Sequence, residues 1–213
     1  MSNLPFLSKI LEKVVLKRLI LHLDLNCLNE NFQSAYKKCH STETALLKVY
    51  NDILCDLDDK HVALQSLLDL SAAFDTLDHG ILLKRLELSF GIKGSALAWL
   101  TSYLENRQQS VQINESFSES VFIKYGIPQG SVLGPILFSL YTTPLSSIFS
   151  KYQINYHLYA DDSQLYKSTP FPDLNCTTEQ IELCIEDTKA WMNSNKLKLN
   201  DDKTELILFK NKF

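Results

Sequence analysis

The stretch that most constrains the fold is Tyr156-His157-Leu158-Tyr159-Ala160-Asp161-Asp162-Ser163-Gln164-Leu165-Tyr166, an apolar and aromatic run with two adjacent carboxylates at its centre. Tyr and Leu on both sides favour extended strands, and the Asp pair falls where the chain must reverse. The pattern predicts a hairpin with charges at its tip. Such a tip has two readings. Asp is a common turn residue because its short side chain caps backbone N–H groups. Adjacent carboxylates are also hard oxygen ligands for a divalent metal. The pair alone favours the turn, and the other acidic positions of the chain decide between the two.

With 213 residues, 45% of them hydrophobic, the chain is long enough for one sizeable domain or two small ones. No apolar run approaches the ~20 residues needed to cross a bilayer, and the Leu-rich start from Leu4 to Leu25 is broken by Lys9, Glu12, Lys13, Lys17 and Arg18. Neither a membrane span nor a signal peptide is expected. The cysteines, Cys27, Cys39, Cys55, Cys176 and Cys184, are scattered and never form a Cys-x-x-Cys, which points to reduced, structural thiols in an intracellular setting. The net charge of −4 argues against a surface that grips nucleic acid over its whole extent. Any such contact must be local or come from other segments.

In chain order, Ser2 or Asn3 and then Pro5 suit a helix entry, with a helix to about Leu25 whose apolar stripe is Leu7, Ile10, Leu11, Val14 and Leu21. Lys9, Lys13 and Lys17 form a row along it, read as a solvated face first and as a phosphate-backbone contact second. Residues 31–40 have no clear period and read as an irregular connector or a short hairpin with two cations. Ser41 or Thr42 is expected to cap a helix burying Ala45, Leu46, Val49 and Ile53, which frays at Asp56, Asp58 and Asp59 because carboxylates oppose the dipole there. Val62 to Leu70 is nearly continuous and apolar, a strand buried on both faces with Asp69 at its C-terminal end. A buried carboxylate needs a hydrogen bond, a cation, a metal or a place at the sheet rim. Asp78 caps the next helix, carrying Leu82, Leu83, Leu86 and Phe90 inward with Gly91 beyond its end.

A helix over about Gly94 to Asn106 follows, then two strands, Arg107–Ile113 and Phe117–Tyr125, around a turn at Asn114-Glu115. Gly126-Ile127-Pro128-Gln129-Gly130-Ser131 is a tight turn feeding a helix from Val132 to about Tyr141, either a close backbone approach to a ligand or simply a turn and cap. Beyond the hairpin, Thr177 or Thr178 is expected to cap a helix to about Asn193 bearing Ile181, Cys184, Ile185 and Trp191 on one side. Two short strands, Leu197–Leu199 and Glu205–Phe209, then flank a turn at residues 200–203.

Asp69 ends a buried strand and Asp161-Asp162 sit at a hairpin tip. If those strands neighbour one another in an antiparallel sheet, three carboxylates meet at its rim. Oxygen-only ligands suit Mg²⁺, which binds one or two carboxylates and completes its shell from water and substrate phosphate. The chemistry that needs such a site is phosphoryl transfer with two metal ions.

The segments Leu68-Asp69-Leu70-Ser71-Ala72-Ala73-Phe74-Asp75, Gly126-Ile127-Pro128-Gln129-Gly130-Ser131-Val132-Leu133-Gly134-Pro135 and Tyr159-Ala160-Asp161-Asp162, in that order, resemble the palm motifs of reverse transcriptases, most nearly those of non-LTR (LINE-type) retrotransposons. Phe32-Gln33-Ser34-Ala35-Tyr36 with His40-Ser41-Thr42-Glu43-Thr44-Ala45-Leu46 is similar to their fingers region, and Leu199-Asn200 with Lys203-Thr204-Glu205 to the segment after the palm hairpin. The resemblance implies an α+β fingers and palm of the right-handed polymerase fold, an antiparallel palm sheet flanked by helices, without a thumb. Residues 1 to about 60 would be partial fingers, and about 61–213 mostly palm. It implies RNA-directed DNA synthesis from dNTPs on an RNA template and a DNA primer, with two Mg²⁺ ions or Mn²⁺ in their place.

By position, Asp69 and Asp161 would be the principal metal ligands, Asp162 a supporting carboxylate and the Leu70 carbonyl a further ligand. Phe74 would be a steric gate against a 2′-hydroxyl. Gln129 and Gly130 would lie against the nucleotide and template, Lys203 near the triphosphate as a proton donor to pyrophosphate, and Lys38 and Tyr159 on the nucleic acid. Lys203 is equally well read as an exposed turn lysine. Lys37 stands where the family commonly has arginine, keeping the charge for a nucleotide phosphate but not the planar fork. The family's Arg-Pro segment before Ser2-Asn3-Leu4 is absent, as is an endonuclease domain. The alternatives are a retroelement-derived fragment that only binds nucleic acid or protein, and a palm of the RNA polymerase or nucleotide cyclase kind, disfavoured by Phe74 and Gln129-Gly130. Protein partners are unspecified.

Overall fold

The computed structural model describes residues 4–71 and 73–211. The helices are α1 (Phe6–Leu25), α2 (Thr42–Asp58), a single turn α3 (Ala73–Thr76), α4 (His79–Leu88), α5 (Gly94–Leu104), α6 (Gly134–Thr142), α7 (Leu145–Lys151) and α8 (Leu174–Ser194). The strands are β1 (Val62–Leu68), β2 (Leu70–Ser71), β3 (Gln108–Gln109), β4 (Gln112–Ile113), β5 (Ser116–Phe117), β6 (Val121–Phe122), β7 (Asn155–Tyr159), β8 (Asp162–Thr169), β9 (Lys198–Leu199) and β10 (Glu205–Phe209). They group into two compact units, one of Met1–Leu28 with Ala73–Tyr141, the other of Asn29–Ala72 with Thr142–Phe213.

The first unit is mainly helical. Leu19 and Leu23 of α1, Leu82 and Leu86 of α4, Leu100 and Leu104 of α5, and Leu137 and Phe138 of α6 are buried. The stripe expected on α1 is not its buried face: Leu7 is 72% exposed, and Ile10, Leu11, Val14 and Leu21 are also open to solvent. The interior positions are Glu12, Leu19 and Leu23, which share one face because they are spaced by seven and four residues. Glu12 is only 1% exposed. Its Oε2 accepts the N–H groups of Val132 at 2.6 Å and Leu133 at 3.1 Å and the Tyr103 hydroxyl at 3.2 Å, while Oε1 accepts the Ser8 hydroxyl at 3.2 Å. Those amides precede α6, where a carboxylate suits the free N–H groups and the helix dipole. Burial is the main cause that pushes the Tyr103 phenol up to about 12. Lys9, Lys13 and Lys17 are exposed. The expected Ser2 or Asn3 cap lies outside the described residues; Pro5 immediately precedes the helix.

Asp78 caps α4, its Oδ1 accepting the Ile81 N–H at 2.9 Å. The expected hairpin forms as two short antiparallel ladders, β3 with β6 and β4 with β5. The helix after the glycine turn starts at Gly134 rather than Val132; ahead of it the Val132 and Leu133 amides donate to Glu12 and the Ser131 hydroxyl accepts the Gly134 N–H at 3.1 Å.

The second unit holds a four-stranded antiparallel sheet in the order β10-β1-β8-β7. Its central strand β1 is almost wholly buried, as the continuous apolar run requires. Ala63 and Tyr166 pack with Val49, Ile53 and Leu57 of α2, and α8 packs against β1 and β8. Ser41 is the α2 cap, forming a reciprocal box in which Thr44 N–H donates to Ser41 Oγ at 3.2 Å and Ser41 N–H to Thr44 Oγ1 at 2.8 Å. Leu46, expected inside, is exposed; the buried positions are Ala45, Val49, Ile53 and Leu57.

The helix α2 ends within its acidic cluster, at Asp58. Lys60 adopts a left-handed φ of 63°, and the His61 N–H donates to the Asp56 carbonyl at 3.0 Å, which gives that carbonyl a partner beyond the helix end. Thr177 and Thr178 lie inside α8, which begins at Leu174 directly after a 3₁₀ turn at Phe171–Asp173, and the Thr178 hydroxyl donates back to the Leu174 carbonyl. All five cysteines are free thiols. Among the described residues no helix is long and apolar enough to cross a membrane.

Replacing Glu12 by alanine is expected to cost about 3 kcal/mol or more, since two backbone donors and a phenol lose a buried acceptor. Glu12→Gln, which keeps one acceptor oxygen, should cost less than half of that. Urea unfolding midpoints of the two variants check the ordering.

Candidate active site

The register of β1 against β8 builds the site. Leu68 pairs with Ser163, so β1 ends one step from Asp162, the first residue of β8, which itself pairs with Tyr159 across the hairpin. Asp69, Asp161 and Asp162 therefore lie at one end of the sheet. Asp69 interrupts the apolar run at the rim: β1 stops at Leu68, and Leu70-Ser71 pair instead with Leu199 and Lys198 of β9. The reversal is made by Ala160 and Asp161, with Ala160 at φ 57°.

Two groups converge on Asp69 Oδ2 at 3.2 Å each, the Asn200 side-chain amide and the Lys203 ammonium. The Asn200 N–H also donates to the Asp69 carbonyl at 2.9 Å, so one residue latches both main chain and side chain. Burial, then the negative charges of Asp161 and Asp69, hold the Asp162 carboxyl above its ordinary range, against the opposing charge of Lys203. The Tyr36 phenol is likewise raised, first by burial and then by Asp161 and Tyr159, which places this connector residue beside the tip.

The structure thus brings Asp69, Asp161, Asp162, Tyr159 and Lys203 together in the second unit. Leu70 is buried there in its pairing with Leu199. Lys37 is turned onto its own loop, its ammonium donating to the Glu30 carbonyl, and Lys38 is exposed. Phe74, Gln129 and Gly130 belong to the first unit. Phe74 is half-buried with its ring 4.9 Å from that of Phe138, and the Gln129 amide donates to the Asp75 carboxylate at 3.2–3.4 Å.

The two glycines of that turn differ in what they serve. Gly126 (φ 80°) lies so close to the chain's own backbone that a Cβ would meet Asp75 O at 2.7 Å and Phe74 O at 2.8 Å. Gly130 (φ 88°) has open space where a Cβ would stand. The close approach at Gly126 is internal, and only Gly130 leaves room for a second molecule.

Three supporting residues gave no local sign of what they hold. Asn200 and Gln33 stand within the family-like segments, but one reads as a turn former and the other lies in a stretch without period, and Glu12 stands among lysines. Only the spacing of Glu12 to Leu19 and Leu23 could have marked it as inward.

Solved structures share this fold. Apo telomerase from Candida tropicalis truncated from its C-terminal domain superposes with a TM-score of 0.70 at 18% identity, over 94% of this chain and 41% of that one. Telomerase from Candida albicans in complex with a fragment of telomeric RNA gives 0.66 at 17% identity, over 94% and 34%. The family model described as reverse transcriptase (RNA-dependent DNA polymerase) matches residues 1–213, and the chain belongs to that family. Its relatives include the RNA-directed DNA polymerase from mobile element jockey of Drosophila melanogaster, 28% identical over 99% of this chain, that of Drosophila funebris at 30% over 99%, and the probable polymerase from transposon BS of Drosophila melanogaster at 30% over 95%. These agree with the non-LTR resemblance of the motifs. The chain spans about a quarter of the length of these curated relatives, 22–23%.

A carboxyl with a raised pKa binds its proton more tightly when folded, so its ionisation erodes stability as pH rises from the ordinary aspartate range through the raised folded value. Asp162→Asn cannot ionise. Because Asp162 is solvent-exposed, the variant should exceed the parent at pH 7 by only a few tenths to about 1 kcal/mol, with the gap closing as pH falls below the ordinary aspartate range. Urea denaturation at both pH values checks the sign; a less stable Asp162→Asn at pH 7 would contradict it.

Proposed function

We propose that this chain is the catalytic part of an RNA-directed DNA polymerase, which transfers a nucleotidyl group from a dNTP to the 3′-hydroxyl of a DNA primer on an RNA template. The observation that carries this reading is the β1–β8 register, which sets Asp69 beside Asp161-Asp162 at one end of a rigid sheet. In the reaction the bond from the primer oxygen to the α-phosphorus forms, the bond from that phosphorus to the bridging oxygen breaks, the hydroxyl proton is lost and pyrophosphate leaves.

The family uses divalent metals. The donors here fit Mg²⁺, with Mn²⁺ as a substitute: hard carboxylate oxygens at the sheet rim, where burial first and then the charges of Asp161 and Asp69 hold the Asp162 carboxyl above its ordinary range, and a cation would relieve the charge repulsion. Among the described residues no group of three or more His, Cys, Asp or Glu side chains is placed to hold a metal ion on its own. An open rim suits an ion that takes its remaining ligands from substrate phosphate. Asp69 and Asp161 would hold the metal with the Leu70 carbonyl, and Asp162 would support them. The bound metal would supply Lewis acidity to the attacking and leaving oxygens.

The other roles follow from position in the family motifs. Lys203, whose ammonium already lies at Asp69, keeps a proton near the site for departing pyrophosphate. Phe74 is assigned to exclude a 2′-hydroxyl. Gln129 and Gly130 are assigned to the nucleotide and template, Lys37 to nucleotide phosphate, and Lys38 and Tyr159 to the nucleic acid. Residues 1 to about 60 are assigned to partial fingers and about 61–213 mostly to palm.

The test is primer extension by the purified chain on an RNA template with dNTPs and Mg²⁺. Extension is expected, and Asp161→Asn should lower its rate by about a hundredfold or more. Undiminished extension by Asp161→Asn overturns the site. A chain that extends nothing yet binds an RNA–DNA hybrid with a steep salt dependence is the outcome expected of a binding module instead.

A further inference from the structure

The connector before α2 holds a buried amide beside the hairpin tip. Gln33 is 4% exposed and forms a one-residue parallel bridge with Leu158 of β7. The Leu158 N–H donates to the Phe32 carbonyl at 2.8 Å and the Ser34 N–H to the Leu158 carbonyl at 3.0 Å, so residues 32–34 extend the sheet beyond β7. Ser34 Oγ and His157 Nε2 are hydrogen-bonded at 2.8 Å beneath it. The Gln33 side-chain oxygen accepts two amides, Ala35 N–H at 2.9 Å and Ala160 N–H at 3.2 Å. Its side-chain nitrogen has no partner among the described residues.

Burying an amide is costly compared with burying a methionine or leucine of similar volume, so the reason for glutamine here is its acceptor oxygen. What that oxygen holds is informative. Ala160 is in the left-handed region at φ 57°, which a residue with a Cβ adopts only where its surroundings over-determine it. The next residue is Asp161.

We propose that Gln33 is a positioning residue for the hairpin tip: its side-chain oxygen pins the Ala160 N–H, fixing the left-handed turn that sets Asp161 and Asp162. The functional consequence rests on the catalytic reading of Asp161, whereas the pinning itself does not. The irregular connector thereby becomes the outer support of the acidic rim, joined to it by one side-chain oxygen and two main-chain bonds.

Two substitutions separate the acceptor from the rest of the side chain. Gln33→Met keeps the length and removes the acceptor. Gln33→Glu keeps an accepting oxygen in either protonation state and exchanges the side-chain nitrogen, which has no partner among the described residues, for a second oxygen. Residue-resolved amide exchange by NMR reads the Ala160 N–H, and Mn²⁺ titration with line broadening of the hairpin amides reads the site. In Gln33→Met, Ala160 should exchange about tenfold faster while the β1–β8 ladder keeps its protection, and half-saturation by Mn²⁺ should move to severalfold higher concentration. In Gln33→Glu, Ala160 protection should persist. Unchanged Ala160 exchange in Gln33→Met overturns the proposal, as does its loss in Gln33→Glu with the ladder intact. Parent hairpin amides that show no Mn²⁺ broadening would contradict the metal reading of Asp161, and the exchange comparison would still decide the role of Gln33.

Discussion

The antiparallel pairing of β1 with β8 is the constraint on which the rest depends. Both strands are largely interior, and a slip of one residue would turn Ala63 and Tyr166 away from Val49, Ile53 and Leu57 of α2. Hydrophobic packing therefore locks the register, and the register decides which residues stand at the rim. Asp69 and Asp162 meet there because Leu68 must pair with Ser163. Carboxylates cannot attract one another into such proximity. They are brought together by the apolar surface behind them, and the Asp162 carboxyl is raised by its burial there and then by the charges of Asp161 and Asp69.

Around this rim the polar residues fall into two kinds. The aspartates remain at least partly open to solvent, while the groups that hold the adjoining backbone are enclosed or latched: Asn200 on the main chain and side chain of Asp69, and Gln33 on Ala160. In the other unit Glu12 does the same for the amides after Gly130-Ser131, from a fully buried position on α1. Each is a single side-chain oxygen or amide fixing a backbone group at an irregular turn, where no ladder of hydrogen bonds could do it. Side chains at these points specify geometry more than they add net stability.

The regular parts of the fold were legible from residue patterns because period and punctuation are local properties. The two-sided burial of β1, the hairpin with Asp161 in its turn, the Asp78 cap and the reversal at Asn114-Glu115 all appear where those signals put them. The order of the acidic and glycine motifs conveyed the family. What escaped was the choice of face and the polar support. On α1 the side that carries Leu7, Ile10, Leu11, Val14 and Leu21 is exposed, while the buried side sets Glu12, with its bonds to the Val132 and Leu133 amides, beside Leu19 and Leu23. At the end of α2, the left-handed Lys60 and the His61 N–H bond to the Asp56 carbonyl are backbone features that the charge pattern does not encode. Gln33 and Asn200 stood within the family-like segments, but nothing local gave their contacts, because their partners, Ala160 and Asp69, are remote in sequence.

The most direct test of the proposed metal-binding rim is iron-directed backbone cleavage. Fe²⁺ admitted in place of Mg²⁺, with ascorbate and peroxide, generates radicals that cut the chain beside the bound ion, and the fragments are mapped by mass spectrometry. The account predicts cuts confined to the neighbourhoods of Asp69, Asp161 and Asn200, suppressed by excess Mg²⁺ and abolished in Asp161→Asn. Cuts scattered along the chain, or insensitive to both Mg²⁺ and the substitution, would contradict it.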